Sequence, residues 1–519
     1  MHLKLFSCWR RNAGTSGTGG AVREDDRQVP SSVEDGVTRD TAVKKQFQEF
    51  DLQETPNLER TRQWLQFAAA VSACLGVMAC GGHLGWTSPA LPHLTGPDSE
   101  FPVTKAEGAW VASLYTLGGI LASFISGFCV DRLGRKFSLL AFALPQLAGW
   151  GLVIAAKSVV TLYIARFVAG IGHGGIYNVA VIYLGEIADK NIRGALGTFL
   201  KMSTNLGTLF VTAVGAYLPY WQLNLVSMVV PLTFVATFVF MPETPYFFLI
   251  KGRDEEAEQS LMKLRRVNKP ESVREDITAM KDAVIEGQRS SRNAIFELVG
   301  TKGNRRALVI LLGLKATQQF SGHMAIVAYT QEIFSHSGSS LAPSQAVIVL
   351  GGAQLVAGFV AAGLVDRAGR RPLMLVSGIA AALALAIEGL FFYLKYEAEV
   401  DVSSFTWLPI VALIAYEVMV ALGIGTLPYV LLGELFPTNV KGPAVACGII
   451  VGSIFAFAVG LGYQAINSVA GIHTTFWIFA ICCASGTIFV FWLTPETKGK
   501  TLEEIQAELN PPAKVVPGA

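Results

Sequence analysis

Hydrogen-bonding side chains recur at regular intervals inside one strongly apolar stretch. Residues 315–334, KATQQFSGHMAIVAYTQEIF, follow directly on the apolar run ALVILLGL at 307–314. Lys315, Gln318, Gln319 and Gly322 are three or four residues apart, so they share one face of a helix. Polar side chains are costly in hydrocarbon, so such a face should meet a cavity or a partner. Because amides both donate and accept hydrogen bonds, the stretch predicts one wall of a cavity that binds a small polar solute.

The elements that must position this face are membrane-spanning helices. Of the 519 residues, 52% are hydrophobic and only 15% are charged, whereas soluble proteins carry about 25% charged residues. The apolar residues form blocks of about 20, enough for a helix to cross a bilayer about 30 Å thick. Barrel strands are shorter and alternate in polarity. The sequence therefore predicts an all-α polytopic membrane protein with twelve transmembrane helices, at 66–90, 107–129, 137–157, 160–182, 196–218, 221–241, 307–331, 345–365, 373–394, 407–431, 445–466 and 474–494.

The basic residues predict the orientation. The segment 1–65 contains ten Lys and Arg, and the segment 242–306 contains thirteen. By the positive-inside rule, both termini and this central segment are cytoplasmic. The polar stretch 1–63, which includes GTSGTGG, predicts a disordered cytoplasmic tail and no cleavable signal peptide. Residues 495–519 are predicted to form a second cytoplasmic tail.

Composition also excludes several classes of function. The net charge of +2 predicts no nucleic-acid partner. The seven cysteines have no metal-like spacing, and six of them lie in apolar blocks, where they serve as small packing residues. Since there is no phosphate-binding loop and no plausible Ser/His/Asp arrangement, we expect no metal, no cofactor and no catalysis. The expected partners are a small solute and the lipid bilayer, and the oligomeric state is not predicted.

Three motifs occur twice. DRLGRK (131–136) is repeated as DRAGRR (366–371), Glu186 with Arg193 as Glu434 with Lys441, and PETPYFFLIKGR (242–253) as PETKGKTLEEI (495–505). The chain therefore predicts two six-helix halves, 64–241 and 307–494, joined by a cytoplasmic linker at 242–306. Within the linker, DEEAEQSLMKLRR (254–266) predicts an amphipathic helix.

Repeated charges on one side of two rigid bundles indicate salt bridges that form and break as the halves rock. The alternative is that these charges only anchor helix ends and set topology. Three motifs at matched positions favour the first interpretation. The predicted inner network consists of Asp131, Arg132, Arg135, Arg166, Glu186, Arg193, Glu243, Asp366, Arg367, Arg370, Arg371, Glu434, Lys441 and Glu496.

Taken together, these motifs resemble the sugar porters of the major facilitator superfamily over about residues 64–506. GRFVAGIGHG, GEIADKNIRGALGT, QQFSG and GELFPTNVKG carry the same resemblance, and GWTSPALP is similar to insect facilitated trehalose/glucose transporters. The resemblance implies a bundle of twelve helices with one small-molecule site near the midplane. By residue type and matched position it implies a substrate site that includes Gln318, Gln319, Tyr329, Gln354, Tyr429, Asn205, Lys201 and Lys315.

The chain departs from that family at several of these positions. Met324 replaces an Asn, Lys201 replaces a Gln, and Tyr429 replaces a Trp. A buried amine must pair, reach the interface or titrate, and Glu417 and Glu388 are the acids available to Lys201 and Lys315. If both lysines face the cavity unpaired, an anionic solute becomes plausible.

His83 lies near the position where proton-coupled relatives carry an Asp, so it could carry a proton. A lone His in such a helix is more often a packing residue, which is the favoured interpretation. The main prediction is a facilitative transporter of glucose or trehalose. The alternatives are a proton-coupled sugar symporter, a transporter of an anionic solute and a non-transporting sensor. We expect the plasma membrane, with an intracellular vesicle membrane as the alternative.

Overall fold

A computed structural model describes residues 63–97, 99–189, 192–290, 294–500 and 502–509. The predicted tail at 1–63 lies outside these residues except for Gln63, and so does 510–519 of the predicted C-terminal tail. The part of the chain that is described contains α-helices and one 3-10 turn, and it contains no β-strand. The all-α expectation is confirmed.

The first half of the chain forms seven helices that make six crossings. They are α1 (Trp64–Gly85), α2 (Thr87–Leu94), α3 (Lys105–Leu133), α4 (Arg135–Ile154), α5 (Val159–Ile187), α6 (Arg193–Tyr217) and α7 (Tyr220–Phe238). α1 and α2 form one crossing of 31 residues, bent at Trp86. Sequence determines the starts of α3 and α5, since Thr104 and Ser158 each accept a hydrogen bond from a first-turn backbone N–H, as N-cap residues do.

Four short helices follow in the linker: α8 (Pro245–Ile250), α9 (Asp254–Arg265), α10 (Glu271–Ser290) and α11 (Ala294–Gly300). The predicted amphipathic helix at 254–266 is α9, whose Ala257, Leu261 and Leu264 are buried. Arg265 at the end of α9 pairs with Asp189 after α5 at 3.1 Å, which ties the linker to the first half.

The second half contains α12 (Lys302–Phe320), α13 (His323–Ser337), α14 (Pro343–Ala368), α15 (Arg370–Tyr396), α16 (Leu408–Leu422), α17 (Leu427–Glu434), α18 (Thr438–Leu493) and α19 (Leu502–Leu509). Two crossings are built from pairs of helices, α12 with α13 and α16 with α17. In α18, Gly471 has φ +80° and breaks the helix into two parts.

Helix lengths are compatible with twelve crossings. Within the described ranges, nine helical segments are long and apolar enough to cross a membrane. One of them, Asn439–Leu493, has 55 residues, which would span about 80 Å as a single helix. It corresponds to two crossings, one on each side of Gly471. The remaining two crossings are α6 and the pair α12–α13, which contain more polar side chains. Those side chains belong to the site described below.

The apolar core is shared between the halves at one end and divided at the other. We call the end that carries the linker helices the inner end, and the opposite end the outer end. One buried cluster joins Trp86 and Leu91 of the first half to Ile326, Tyr329 and further residues of the second. At the inner end each half has a buried cluster of its own. The two halves are therefore packed together at the outer end and open a cavity toward the inner end.

Candidate functional site

Two broken helices of the second half meet at their breaks. Gly322, with φ +87°, separates α12 from α13, and a Cβ there would lie 2.3 Å from the Phe479 ring. The unwound turn after α16 presents the Gly425 carbonyl, which accepts a hydrogen bond from Gln318 Nε2 at 2.7 Å. Tyr416 of α16 donates to the Ser321 carbonyl at 2.9 Å. Polar contacts between the breaks satisfy backbone groups that a straight helix would satisfy itself.

Lys315 extends into this arrangement. Its side chain is almost fully buried, at 2% exposure. Its Nζ lies 3.1 Å from Gln318 Oε1 and 3.3 Å from the centre of the Tyr429 ring. Gly452 of α18 makes room for the stem, because a Cβ there would lie 3.3 Å from Lys315 Cδ. The sequence placed Lys315 on the cavity face, and the structure groups it with Gln318 and Tyr429.

Tyr429 marks the open cavity. Its side chain is 47% exposed although it lies in the first turn of α17, in the middle of the membrane-spanning bundle. Two residues of the other half, Tyr177 on α5 and Lys201 on α6, are close enough to interact electrostatically with its hydroxyl. Asn205, one turn beyond Lys201, is buried. The cavity therefore lies between α5 and α6 on one side and α12 and α17 on the other.

The predicted acid partners do not neutralise the lysines. Glu417 on α16 instead accepts a hydrogen bond from Gln354 Nε2 at 2.6 Å and lies 3.2 Å from His323 Nδ1. Both carboxylate oxygens of the other candidate, Glu388, are buried without a hydrogen-bond partner among the described residues. Gln354 is thus bonded to an acid. In contrast, Gln319 is buried and its Oε1 has no partner in the described part of the chain, so it can accept a hydrogen bond from a ligand.

The outer end of the cavity is closed. Tyr329 is 3% exposed and stacks on Tyr463 with ring centres 4.6 Å apart. Beside it, the Gln331 backbone N–H donates to Ser88 Oγ of the first half at 3.3 Å. The Lys105 ammonium lies 3.9 Å from Glu332 across the same boundary. These contacts join the halves above the cavity.

The inner ends carry two copies of one charge arrangement. In the first half, Arg135 pairs with Glu186 at 2.7 Å, and Thr244 Oγ1 donates to the other Glu186 oxygen at 2.6 Å. In the second half, Arg370 pairs with Glu434 at 2.9 Å, and Thr497 donates to Glu434 at 2.6 Å. Each of these ion pairs lies within one half. The expectation that such pairs bridge the halves is therefore not met in this conformation.

Glu243 and Glu496 act as helix caps rather than as ion-pair partners. Glycines precede α4 and α15, at Gly134 and Gly369, so neither helix has a side-chain N-cap of its own. Glu243 instead accepts the first backbone N–H groups of α4, from Arg135 at 3.1 Å and Lys136 at 2.9 Å.

Glu496 does the same for α15, accepting from the N–H groups of Arg370 and Arg371, both at 3.0 Å. It also accepts from Thr497 and Lys498, both at 2.9 Å. Burial tends to raise the pKa of Glu496, but these four backbone bonds outweigh it and hold the pKa low. For Glu243, burial prevails over its three backbone bonds and raises the pKa.

The other residues of the predicted network have varied positions. Asp131, Arg132 and Arg367 are exposed at the inner surface. Arg371 donates to the Phe491 carbonyl, and Lys441 donates to the Gly433 carbonyl at 3.0 Å. The side chains of Arg193 and Asp366 lie outside the described part of the structure.

The prediction that Arg166 belongs to the inner network is wrong. α5 starts at the outer end, so Arg166, in its second turn, lies far from Glu186 near the helix's inner end. Its guanidinium donates to the carbonyls of Val111 at 3.0 Å and His83 at 2.8 Å. It also packs over the rings of Trp86 and Tyr115. Buried charges in membranes bond to backbone carbonyls and aromatic faces in this way.

His83, the candidate proton carrier, lies beside Arg166. It has no exposed surface. Its ring stacks on Trp150 at 4.1 Å, and its Nε2 lies 3.3 Å from the Gln146 carbonyl oxygen. These contacts are those of a packed side chain, and they place His83 away from the open cavity.

Comparison with known proteins agrees with this architecture. Residues 59–509 match the family model described as sugar (and other) transporter. The chain belongs to this sugar transporter family. The facilitated trehalose transporter Tret1 of Bombyx mori is 33% identical over 447 residues, which are 86% of this chain and 87% of the relative. Tret1 of Drosophila mojavensis is also 33% identical over 86% of this chain, which spans only 51% of that longer protein.

A solved structure has the same fold. The xylose transporter XylE from E. coli, in an inward-open conformation, aligns with a TM-score of 0.72 and 22% identity over 85% of this chain and 99% of XylE. At that identity the likeness shows the fold alone. The fold is the one predicted from the repeated motifs, a major facilitator bundle of two six-helix halves.

Within this sugar transporter fold, sequence reasoning missed three residues of the site: Tyr177, His323 and Tyr416. His323 follows QQFSG directly, and Tyr416 precedes the intramembrane acid Glu417. A polar side chain inside an otherwise apolar predicted crossing was the signal available for both. Tyr177 gave no such signal, because its role depends on the approach of α5 to α17.

Proposed function

We propose that this protein is a facilitative transporter that moves a polyhydroxylated solute, glucose or trehalose, by alternating access. The observation that carries the proposal is the polar site between the halves. Gln319 provides an amide oxygen that has no partner among the described residues, and Tyr429 provides an aromatic ring. Both lie at the breaks of α12–α13 and α16–α17, which Gln318 joins through the Gly425 carbonyl, and the cavity is open on one side only. Amides and aromatic rings suit a neutral ligand that has many hydroxyls and apolar C–H faces.

The charge arrangement supports alternating access. Transport requires the contacts at the outer end to separate while the inner ends come together. Within the described residues, the polar contacts between the halves at the outer end are Ser88 with Gln331 and Lys105 with Glu332. Exposed ion pairs contribute only about 0–1 kcal/mol, so the main resistance to opening at this end is the shared apolar cluster. At the inner end, Arg370 and Glu434 are partly exposed, whereas Arg135 is buried beside Glu186. Both pairs would exchange partners when the halves approach.

Movement down a gradient, without a coupled proton, is the favoured mode. His83 is enclosed by Trp150, Gln146 and Arg166 and has no surface in the cavity from which a proton could be exchanged. The relatives named above are facilitated transporters by their descriptions. We place both termini and the linker in the cytoplasm on the distribution of Lys and Arg. We place the protein in the plasma membrane, the default location for a solute transporter.

Uptake of labelled glucose and trehalose into oocytes tests this proposal. We expect saturable uptake of at least one of the two that an uncoupler leaves unchanged, with a loss of uptake in Gln319→Ala. Glu508→Gln, at an exposed ion pair on α19, is the control and should transport normally. Inward current on adding sugar, abolished in His83→Ala, would establish proton symport instead. No saturable uptake of either sugar would contradict the proposal.

A further inference from the structure

The cavity wall contains positive charge that no acid among the described residues balances. Lys315 Nζ contacts Gln318 Oε1 and the Tyr429 ring, both neutral groups. Lys201 of the opposite half interacts electrostatically with the Tyr429 hydroxyl, and its ammonium forms no ion pair or hydrogen bond within the described residues. A cation buried in a membrane protein is normally paired with an acid or bonded to carbonyls and aromatic faces. Lys315 has only the second kind of contact, so its ammonium is bonded but its charge is not neutralised.

The nearest candidate acid is already engaged. Glu417 interacts with His323 and accepts a hydrogen bond from Gln354. The Gln354 side chain is therefore oriented toward Glu417, and its Nε2 is used. Glu388 lies on α15 and is fully buried away from the cavity. Neither acid is therefore available to Lys315, whose buried ammonium lies against the half-exposed Tyr429 at the wall of the cavity.

The same contacts weaken the site for a neutral sugar. Gln318 accepts from Lys315 through its oxygen and donates to the Gly425 carbonyl through its nitrogen, so both polar atoms of this amide are used within the protein. The space for Lys315 depends on Gly452, which has no side chain to compete for it. The lysine has in effect replaced an amide as the hydrogen-bond donor at this wall of the cavity.

We propose that the cavity binds a polyhydroxylated solute that carries an anionic group, with Lys315 and Lys201 binding the carboxylate or phosphate and Tyr429 lying between them. This inference rests on the proposed function and specifies its substrate class. Lys315 and Lys201 come from different halves, so an anion between them would also draw α6 toward α12. Binding the anion would then favour closure of the cavity, and the hydroxyls would be bound by Gln319, whose oxygen is free to accept.

The experiment compares solutes built on the glucose skeleton in proteoliposomes containing the purified full chain. Labelled glucose, trehalose, gluconate and glucose 6-phosphate are offered to wild type, Lys315→Gln, Lys201→Gln and the control Lys157→Gln, an exposed lysine outside the cavity. We expect wild type to take up gluconate or glucose 6-phosphate in preference to glucose. Lys315→Gln should reduce anion uptake by at least about tenfold, as expected for one lost charge-assisted bond. Lys157→Gln should leave the uptake of every solute unchanged, because its side chain is exposed and lies outside the cavity.

The outcomes separate the two proposals. Glucose or trehalose uptake with no uptake of, or competition by, either anion would overturn this inference and leave the proposed function standing. Anion uptake unchanged in Lys315→Gln and Lys201→Gln would overturn the role of the lysines. No uptake of any of these solutes would overturn the proposed function itself. Gluconate against glucose 6-phosphate distinguishes carboxylate from phosphate as the preferred group.

Ligand-induced thermal stabilisation provides a second test that does not depend on transport activity. Thermal unfolding of wild type and Lys201→Gln is followed with increasing gluconate, with glucose as the neutral reference. A ligand that binds only the folded protein raises its melting temperature. We expect gluconate to stabilise wild type more than glucose does, and Lys201→Gln to lose that difference. Equal stabilisation by both solutes in wild type would contradict the proposal.

Discussion

Replacing Glu496 by Gln should destabilise the protein more than any exposed charge substitution near it. The Glu496 carboxylate accepts four backbone N–H groups, three through Oε1 and the fourth, from Arg371, through Oε2. A glutamine oxygen can replace Oε1, but its NH₂ group would then face the Arg371 N–H. A buried donor left without an acceptor costs about 1–3 kcal/mol, but this contact is only partly buried, so the lower end of that range applies. A lost negative charge at a helix N-terminus costs about 0.3–1 kcal/mol, and we expect a total loss of about 1–2 kcal/mol.

The pKa shifts of Glu496 and Glu243 determine how their contributions to folding stability change with pH. The lowered pKa of Glu496 means that the carboxylate stabilises the fold above its ordinary pKa of 4.5 and that this contribution is lost as the pH falls through the lowered value. The raised pKa of Glu243 has the opposite effect: its contribution is present below 4.5 and is lost as the pH rises through the raised value. The stability difference between wild type and Glu496→Gln should therefore shrink on acidification, and that for Glu243→Gln should grow.

Thermal unfolding of the purified protein in detergent, followed by tryptophan fluorescence near pH 7 and near pH 4, measures both effects. Glu508→Gln is the matched control, because Glu508 forms an exposed ion pair with Lys500 that contributes about 0–1 kcal/mol. At neutral pH we expect a fall in melting temperature of several degrees for Glu496→Gln and little change for Glu508→Gln. Equal shifts for these two variants, or the same loss for Glu496→Gln at both pH values, would refute the assignment of Glu496 as the cap of α15.

Two further predictions concern backbone geometry and a buried charge. Gly134→Ala should be more destabilising than Gly369→Ala in the same unfolding assay. Both glycines have φ near +90°, a backbone conformation that costs about 1–3 kcal/mol for other residues. The new Cβ would lie 2.4 Å from Glu243 Oε2 at position 134, but 3.0 Å from Glu496 Oε2 at position 369. Equal losses would show that the carboxylates move aside freely. Arg166→Lys should lower the melting temperature, because an ammonium cannot reproduce the fork that reaches the carbonyls of Val111 and His83, each charged bond contributing about 1.5–3 kcal/mol. An unchanged melting temperature would argue against that packing.

Much of the fold was predictable because each membrane-spanning helix produces a continuous apolar block in the sequence. A helix that crosses a bilayer must be apolar over about 20 residues, so the blocks at 345–365 and 373–394 correspond to α14 and α15 with errors of a few residues. The two-half architecture followed from repeated motifs rather than from packing. α6 and α12 are less apolar because they face the cavity, and their polarity was the reason that Gln318 and Lys315 could be assigned to it.

The pairings of these side chains could not be predicted. The Glu243 carboxylate caps a helix that begins 108 residues earlier in the chain, and neither end of that contact has a local signature. Arg166 was misplaced because sequence gives its position along α5 but not the carbonyls of α1 and α3 that receive it. The partner of Glu417 proved to be His323 and not a lysine, since which faces of α13 and α16 meet depends on the break at Gly322.

Counterflow of labelled sugar tests the central claim most directly. Proteoliposomes containing the purified wild-type protein are loaded with unlabelled glucose or trehalose and diluted into a trace of the labelled sugar. A facilitator that works by alternating access should accumulate label transiently above its external concentration, with the same time course in the presence of an uncoupler. Gln319→Ala should abolish the overshoot, while the exposed-surface variant Glu508→Gln should retain it. Label that only equilibrates, or does not enter at all, would contradict the account.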